Sequence, residues 1–254
     1  MKISLYSICI LSPFLHGLAK AGTLYPNDFS SSTLSPFTAC NLKAPSSITI
    51  SDSTLEIYFS EADFDGTRND KGAEICVFEP GTSTNVYQMQ KEGWQGFRLY
   101  VPSEGFPLNK STIIAQQFCP GGCSSWCGAV QIKGNALALE HRTGCVDPTE
   151  ATVVDNIERD IWHDVVVHMM VSQEENGVYE LWWNGDKVYG VSGIDVGFGT
   201  WQGDVLESGW YFKNGQYAYD IENYTDGSRT LLFDNVAWYE TDAGDDNGYD
   251  TVAP

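Results

Sequence analysis

The segment Gly209–Asp220, GWYFKNGQYAYD, concentrates side chains that bind polar ligands or ionise. Its aromatic content favours a pleated strand. Two-residue alternation then puts Tyr211, Lys213, Gly215, Tyr217 and Tyr219 on one face. Three phenols, an ammonium and a glycine make a poor hydrophobic face, so the strand is either a decorated surface or the floor of a polar cleft. A second segment, Ile113–Phe118, is apolar except for Gln116 and Gln117. In a strand the two amides point to opposite faces, so one meets the core or projects into a cleft; burying an amide without a partner costs about 1–3 kcal/mol. His141 and Arg142 close the segment Leu139-Glu-His-Arg142 and, taken alone, read as a surface arginine beside a histidine. His163 and His168 are five apart on one predicted strand and fall on opposite faces. They cannot share a metal; one faces solvent and the other is packed and hydrogen-bonded.

These residues need a scaffold, and the scaffold predicted around them is made of strands. No run of apolar residues at three-four spacing stands out. Strand patterns recur at 54–60, 96–101, 112–118, 129–132, 136–141, 162–171, 178–183, 187–191, 209–220 and 230–239. Lys133-Gly-Asn135 and Asn184-Gly-Asp186 separate strand pairs and read as tight hairpin turns. Many short strands divided by Gly, Pro, Asn and Asp clusters predict an all-β, single-domain antiparallel β-sandwich of the jelly-roll type. No linker or internal repeat divides the chain.

Met1–Ala21 has a positive start, an apolar run and the Ala19-Lys20-Ala21 cleavage pattern of a secretory signal peptide. The run is too short to span a bilayer. The folded domain is expected over residues 22–254, secreted and extracellular, with no membrane partner. Six cysteines follow the leader: Cys40, Cys76, Cys119, Cys123, Cys127 and Cys145. An even number in an oxidising compartment implies disulfides, of which 15 connectivities exist; we expect Cys40–Cys76, Cys119–Cys127 and Cys123–Cys145. Zinc is disfavoured, because the spacing in Cys119-PGG-Cys123-SSW-Cys127 is not that of a C-x2-C knuckle. Asn109-Lys-Ser111 and Asn223-Tyr-Thr225 are N-glycosylation sequons. The formal net charge is −20, and removing the two leader lysines makes it −22. That charge disfavours a nucleic-acid partner, which calls for basic patches.

The segment Tyr211-Phe-Lys213-Asn-Gly215-Gln-Tyr217 is similar to the Y-F-K-A-G-x-Y strand of the jelly-roll lyases that degrade alginate and related polyuronates. Ala115-Gln116-Gln117-Phe118 resembles their Q-I-H strand, with Gln116 on the glutamine. Lys71-Gly-Ala-Glu74 resembles a worn version of their R-x-E strand. More closely, the chain resembles the fungal glucuronan lyases of polysaccharide lyase family 20, through Tyr25–Phe37, Asp65-Gly-Thr-Arg68, Gly121–Trp126, His141-Arg142 and Phe233-Asp-Asn-Val236. The likeness covers essentially all of residues 22–254. Phe118 stands where the Q-I-H histidine would be, which leaves His141 as the candidate for its role. The first arginine of R-x-E is missing too, and Arg68 or Lys71 is the candidate substitute.

The resemblance implies a concave substrate cleft and cleavage of a 1,4-linked uronate chain by β-elimination. The C5 proton is abstracted, the C4–O bond breaks, and a 4,5-unsaturated uronate remains. That proton is barely acidic beside an ionised carboxylate, so the enzyme must neutralise the carboxylate and the charge that develops on it. Gln116, with Arg142 or His141, suits this. Tyr217 is the candidate base; its phenol must be lowered from about 10 to act, and Lys213 is a candidate perturber. Four residues of strand span roughly 13 Å, however, which also suits Lys213 to a neighbouring sugar subsite. Gly215 would mark a bulge or a close approach of the sugar. Substrate contacts are expected from Lys213, Arg142, Tyr211, Lys71 and Arg68. In glucuronan and mannuronan H5 and O4 leave from one side of the ring, so a single tyrosine can serve as base and acid. A structural calcium ion is expected between Asp28 and Asp234, brought together by pairing of the terminal strands. The other readings are an alginate lyase, a lectin stacking sugars on Trp182, Trp183, Trp201 or Trp210, and a hydrolase, which would need facing carboxylates that no strand supplies. The expected partner is an acidic polysaccharide, and the expected state is a monomer.

Overall fold

The computed structural model describes residues 22–62, 66, 71–77, 89, 91–107, 111–146, 148–219, 227–241, 244 and 247–254. The chain runs through β1 (Thr23–Asn27), β2 (Phe37–Asn41), β3 (Ser47–Ser51), β4 (Thr54–Ser60), β5 (Gly72–Val77) and β6 (Glu92–Tyr100). It continues through β7 (Ser111–Cys119), β8 (Ser125–Lys133), β9 (Ala136–His141), β10 (Thr149–Val154), β11 (Trp162–Met170) and β12 (Ser172–Trp183). It ends with β13 (Asp186–Val196), β14 (Trp201–Gln202), β15 (Val205–Leu206), β16 (Tyr211–Tyr217), β17 (Ser228–Thr241) and the short helix α1 (Gly248–Val252).

Two antiparallel sheets form the sandwich. One runs β13-β12-β11-β6-β17-β4-β3, with β1 also on β17; the other runs β10-β9-β8-β7-β16-β5-β2. The ten predicted strands all lie in these sheets. The short strands β1, β2, β3 and β10 were missed because their alternation is weak, and β5 because GAEICV offers no alternation to read. Both predicted hairpins are present, joining β8 to β9 and β12 to β13. In the second, Asn184 and Gly185 have φ of 52° and 88°, the left-handed pair that fits the twist of a two-residue hairpin.

The interior is filled by alternate residues of the two sheets. Leu55, Ile57, Phe97, Leu99, Val165 and Phe233 from one meet Ile75, Ile114, Val130, Ile132, Leu139 and Phe212 from the other. Fully burying a side chain of this size contributes about 1.5–3 kcal/mol. A polar seam crosses this core. Gln117 donates to Gln95 (3.1 Å), Gln95 donates to Asn214 (2.7 Å), and Trp238 donates to the same Asn214 oxygen (2.9 Å). The Tyr179 hydroxyl donates to Gln117 (2.7 Å). These bonds join β7 and β16 to β6, β12 and β17, and they fix which residues of β7 and β16 point outward.

Two disulfides are present, Cys119–Cys127 and Cys123–Cys145. The third expected pair is not: Cys40 and Cys76 are free thiols. Their strands do pair, but β2 shifts register between Ala39 and Asn41, so Cys40 is the extra residue of a bulge and has no direct partner opposite. Burial, then the neighbouring Cys76, holds the Cys40 thiol well above its ordinary range. No helix among the described residues is long and apolar enough to cross a membrane.

Candidate active site

The outward face of the seven-stranded sheet gathers most of the predicted residues. On β16, Phe212, Asn214 and Gln216 point inward, where they pack or hydrogen-bond, so Tyr211, Lys213 and Tyr217 point out. On β7, Gln117 belongs to the interior seam and Gln116 faces outward. One glutamine meets the core and the other faces the candidate site, as alternation requires. Tyr211 pairs with Phe118, Lys213 with Gln116, and Tyr217 with Ile113, after a bulge between Asn214 and Tyr217.

Glu74 on β5 organises the centre of this face and is 1% exposed. Gln116 Nε2 donates to its Oε1. Asn41 Nδ2 donates to Oε2 at 2.5 Å, and the Lys213 ammonium lies 3.5 Å from the same oxygen. Lys213 also sits over the Phe118 ring, 4.5 Å from its centroid. Burial pulls the Lys213 ammonium down, but the Glu74 carboxylate more than compensates and leaves it raised. Tyr211 is also raised: its burial outweighs the pull of Lys213. Lys213 is therefore matched to Glu74 and lies towards Tyr211, 5.9 Å from its ring centroid.

Tyr217 is 5% exposed and packs with Ile113 and Ala129. Its ring meets Trp126 edge-on at 6.0 Å. Trp126 donates its indole N–H to Glu140, and the Arg142 guanidinium lies over the Trp126 ring at 4.6 Å. Arg142 approaches Glu140 at 3.9 Å and Ser125 at 3.4 Å, and its Nε is buried without a partner. The two disulfides close this corner. Cys119–Cys127 spans the β7–β8 connection, and Cys123–Cys145 ties that connection to the segment after Arg142. Burial holds the Glu140 carboxyl above its ordinary value against the pull of Arg142, and burial lowers the Arg142 guanidinium.

Several expectations are corrected. His141 does not reach this face. It alternates with the outward Glu140, follows the inward Leu137 and Leu139, and lies between the sheets, where its ring nitrogen meets the Tyr189 hydroxyl at 3.0 Å. Burial lowers its pKa. His168 and His163 belong to the other sheet, so none of the described residues on the candidate face is a histidine. Gly215 lies in the bulge of β16, one of its two expected roles; it has φ of 146°, and a Cβ there would lie 2.2 Å from the Ala73 carbonyl of β5. Lys71 hydrogen-bonds the Tyr219 carbonyl at 3.3 Å. Arg68, Asn109, Asn223 and the leader lie outside the described residues.

Sequence reasoning gave no site role to Asn41, Trp126 or Glu140, and it saw Glu74 only as part of a worn motif. Glu74 carries a readable signal, a lone carboxylate in the apolar run GAEICV, the pattern that singled out Gln116. Asn41 has no such signal, because a bulge places it.

Asp28 directly follows β1, whose pairing with β17 ends at Asn27 opposite Val236, and Asp234 lies two residues before Val236, 3.9 Å from Arg98. Asp28 is held below its ordinary value by the Ser30 hydroxyl and backbone. Asp234 is raised, first by burial, with Asp28 adding to the effect. A cavity of about 580 Å³ is lined by Asn27, Asp28, Ser31, Ser35 and Asn235, among others. Among the described residues no group of three or more His, Cys, Asp or Glu side chains is arranged to hold a metal ion.

Two antiparallel sheets, one with a polar, charge-paired outward face, define a jelly-roll sandwich. A sequence profile of the polysaccharide lyase family matches residues 77–237, and the chain belongs to that family. It is thus a lyase acting on polysaccharides. Among solved structures, the fold is similar to that of an endo-beta-1,4-glucuronan lyase from the fungus Trichoderma reesei. The TM-score is 0.65 at 16% identity, over 92% of this chain and 99% of that one. An alginate lyase from Pseudomonas aeruginosa matches with a TM-score of 0.52 at 13% identity, over 77% of this chain and 86% of that one. No curated protein matches the sequence.

Proposed function

We propose that this protein cleaves a 1,4-linked polyuronate by β-elimination, with β-1,4-glucuronan as its preferred substrate. The observation that carries the reading is the outward face that holds Tyr217 and Arg142 against the same Trp126 ring and carries the Gln116–Glu74–Lys213 cluster. The breadth of the likeness to the Trichoderma reesei enzyme supports glucuronan; alginate is the competing substrate.

In this reading the buried face makes each charge interaction strong. Gln116 has a second N–H beyond the one given to Glu74, and Arg142 has its unpartnered Nε–H. Both are donors for the substrate carboxylate and for the charge that develops on it as the C5 proton leaves. Tyr217, as phenolate, takes that proton. The C5–H electron pair becomes the C4=C5 double bond, the C4–O bond breaks, and the leaving oxygen takes the proton from Tyr217. One residue closes the cycle when H5 and O4 leave from the same side, as in glucuronan.

Incubation with glucuronan, alginate and pectate, followed in the ultraviolet band of unsaturated uronates, tests the proposal. Absorbance rising fastest with glucuronan is expected. Reducing ends without absorbance would make the protein a hydrolase, and binding without cleavage a lectin.

Secretion and calcium binding belong to the same proposal. The two disulfides agree with an oxidising compartment. Asp28 and Asp234 would supply carboxylates, the oxygen ligands a hard cation takes. Its role would be to clamp β1 to β17, so a chelator is expected to lower Tm by several degrees and to leave the pH profile of activity alone. An unchanged Tm would remove calcium from the account.

A further inference from the structure

Gln131 on β8 is 1% exposed, and neither its Nε2 nor its Oε1 has a hydrogen-bond partner. Amides buried in this way are rare, because an orphaned donor and acceptor lose their hydrogen bonds to water and gain none in exchange. The contrast within the molecule is sharp. Gln95, Gln117 and Gln216 point into the interior and each makes at least one hydrogen bond there. Gln131 points the other way. Its neighbours Val130 and Ile132 are in the core, whereas Ala129, two residues along and on the same side, packs against Tyr217.

The register fixes where Gln131 sits. It pairs with Ile113 on β7, and Ile113 pairs with Tyr217 on β16. On its other side it pairs with Ala138 of β9. Ala138, Gln131, Ile113 and Tyr217 thus form one row across the sheet, and the apolar side chains flanking Gln131 cannot answer its amide. Two strand spacings, roughly 10 Å, separate Gln131 from Tyr217. That is beyond the sugar whose proton Tyr217 takes and within reach of the next unit of the same chain. Gln116 and Gln131 are each 1% exposed and Tyr217 is 5% exposed, so in this reading a substrate that reaches Gln116 and Tyr217 meets comparable cover at Gln131.

We propose that Gln131 forms an additional sugar subsite, donating from Nε2 to a carboxylate or ring-substituent oxygen and accepting a sugar hydroxyl at Oε1. This rests on the reading of the face as a polyuronate site. The amide is preorganised, and its missing bonds in the free protein become binding energy only when a ligand with both a donor and an acceptor arrives. An apolar or purely cationic ligand would leave half of the amide unanswered.

Gln131→Leu separates this role from a structural one. The variant is expected to melt at the wild-type temperature or above, because it removes an unanswered amide. Its KM for the cleaved polyuronate should rise about tenfold, corresponding to about 1.4 kcal/mol, with kcat changed less than threefold. Gln131→Asn, which keeps the amide on a shorter arm, should fall between. A Leu variant that melts well below wild type would show a structural partner and overturn the proposal, as would a KM within twofold of wild type. If wild type cleaves none of the polyuronates, the lyase reading fails. The subsite is then judged by calorimetry with glucuronan oligosaccharides: binding by wild type that Leu abolishes upholds it, and no binding by either overturns it.

Discussion

Tyr217 and Glu74 divide the work at the residue scale. Tyr217 packs with Ile113 and Ala129 and meets Trp126 edge-on, and Tyr217→Phe keeps that ring packing while removing the group the reaction needs. Tyr217→Phe is expected to lower kcat by about 10²–10⁴ with Tm within two or so degrees of wild type; a variant retaining near-normal elimination would remove Tyr217 from its role. Glu74 is a positioning residue, because its oxygens are taken by Gln116, Asn41 and Lys213. Glu74→Gln leaves the Lys213 ammonium buried without a counter-charge, which costs about 3–5 kcal/mol. The double variant Glu74→Gln, Lys213→Met should recover most of that loss in a denaturant melt while activity stays low. If the double variant melts no higher than the single one, the ion pair is not what Glu74 holds.

At the scale of strands, the sheet opposite the site carries its own brace. His168 on β11 meets Glu92 of β6 at 2.7 Å through Nε2 and Glu180 of β12 at 2.8 Å through Nδ1, and its ring stacks on Trp94 at 3.7 Å. A neutral imidazole carries a single N–H, so two carboxylates on two nitrogens favour the imidazolium. Burial opposes the charge, but the two glutamates prevail and raise the pKa; His168 in turn lowers Glu180. A histidine raised on folding stabilises below its unfolded value of about 6.5, and the contribution is lost as pH climbs through the raised value. The lowered Glu180 works in the other direction, stabilising above its unfolded value and losing that contribution as pH falls through the folded one. The Tm difference between wild type and His168→Gln should therefore peak in mild acid and narrow on both sides. A difference that is flat with pH would mean the three strands are not joined by charge.

Across the whole molecule, the free Cys40 and Cys76 make the covalent framework countable. A chain beginning at Gly22, denatured without reductant, should take up two alkyl groups by mass spectrometry, and six after reduction. No uptake before reduction would mean that a third disulfide exists. The two disulfides contribute roughly 2–4 kcal/mol each through loop closure, and both are at the Trp126–Arg142 corner. Reduction should therefore impair the site and lower the melting temperature together.

Much of this protein was legible in its residues. Alternating apolar positions and glycine-rich turns called for an antiparallel sandwich, because a pleated strand sorts its side chains by parity. The same parity sent Gln116 and Gln117 to opposite faces and grouped Tyr211, Lys213 and Tyr217. Tertiary structure decided what parity cannot. The interior seam chose which glutamine faces out; the bulge on β2 set Asn41 on Glu74 and left Cys40 without a direct cross-strand partner; and the inward turn of His141 removed a histidine that its place in the sequence had made attractive. Those outcomes depend on which strands become neighbours and where their registers slip, and such contacts join residues far apart along the chain.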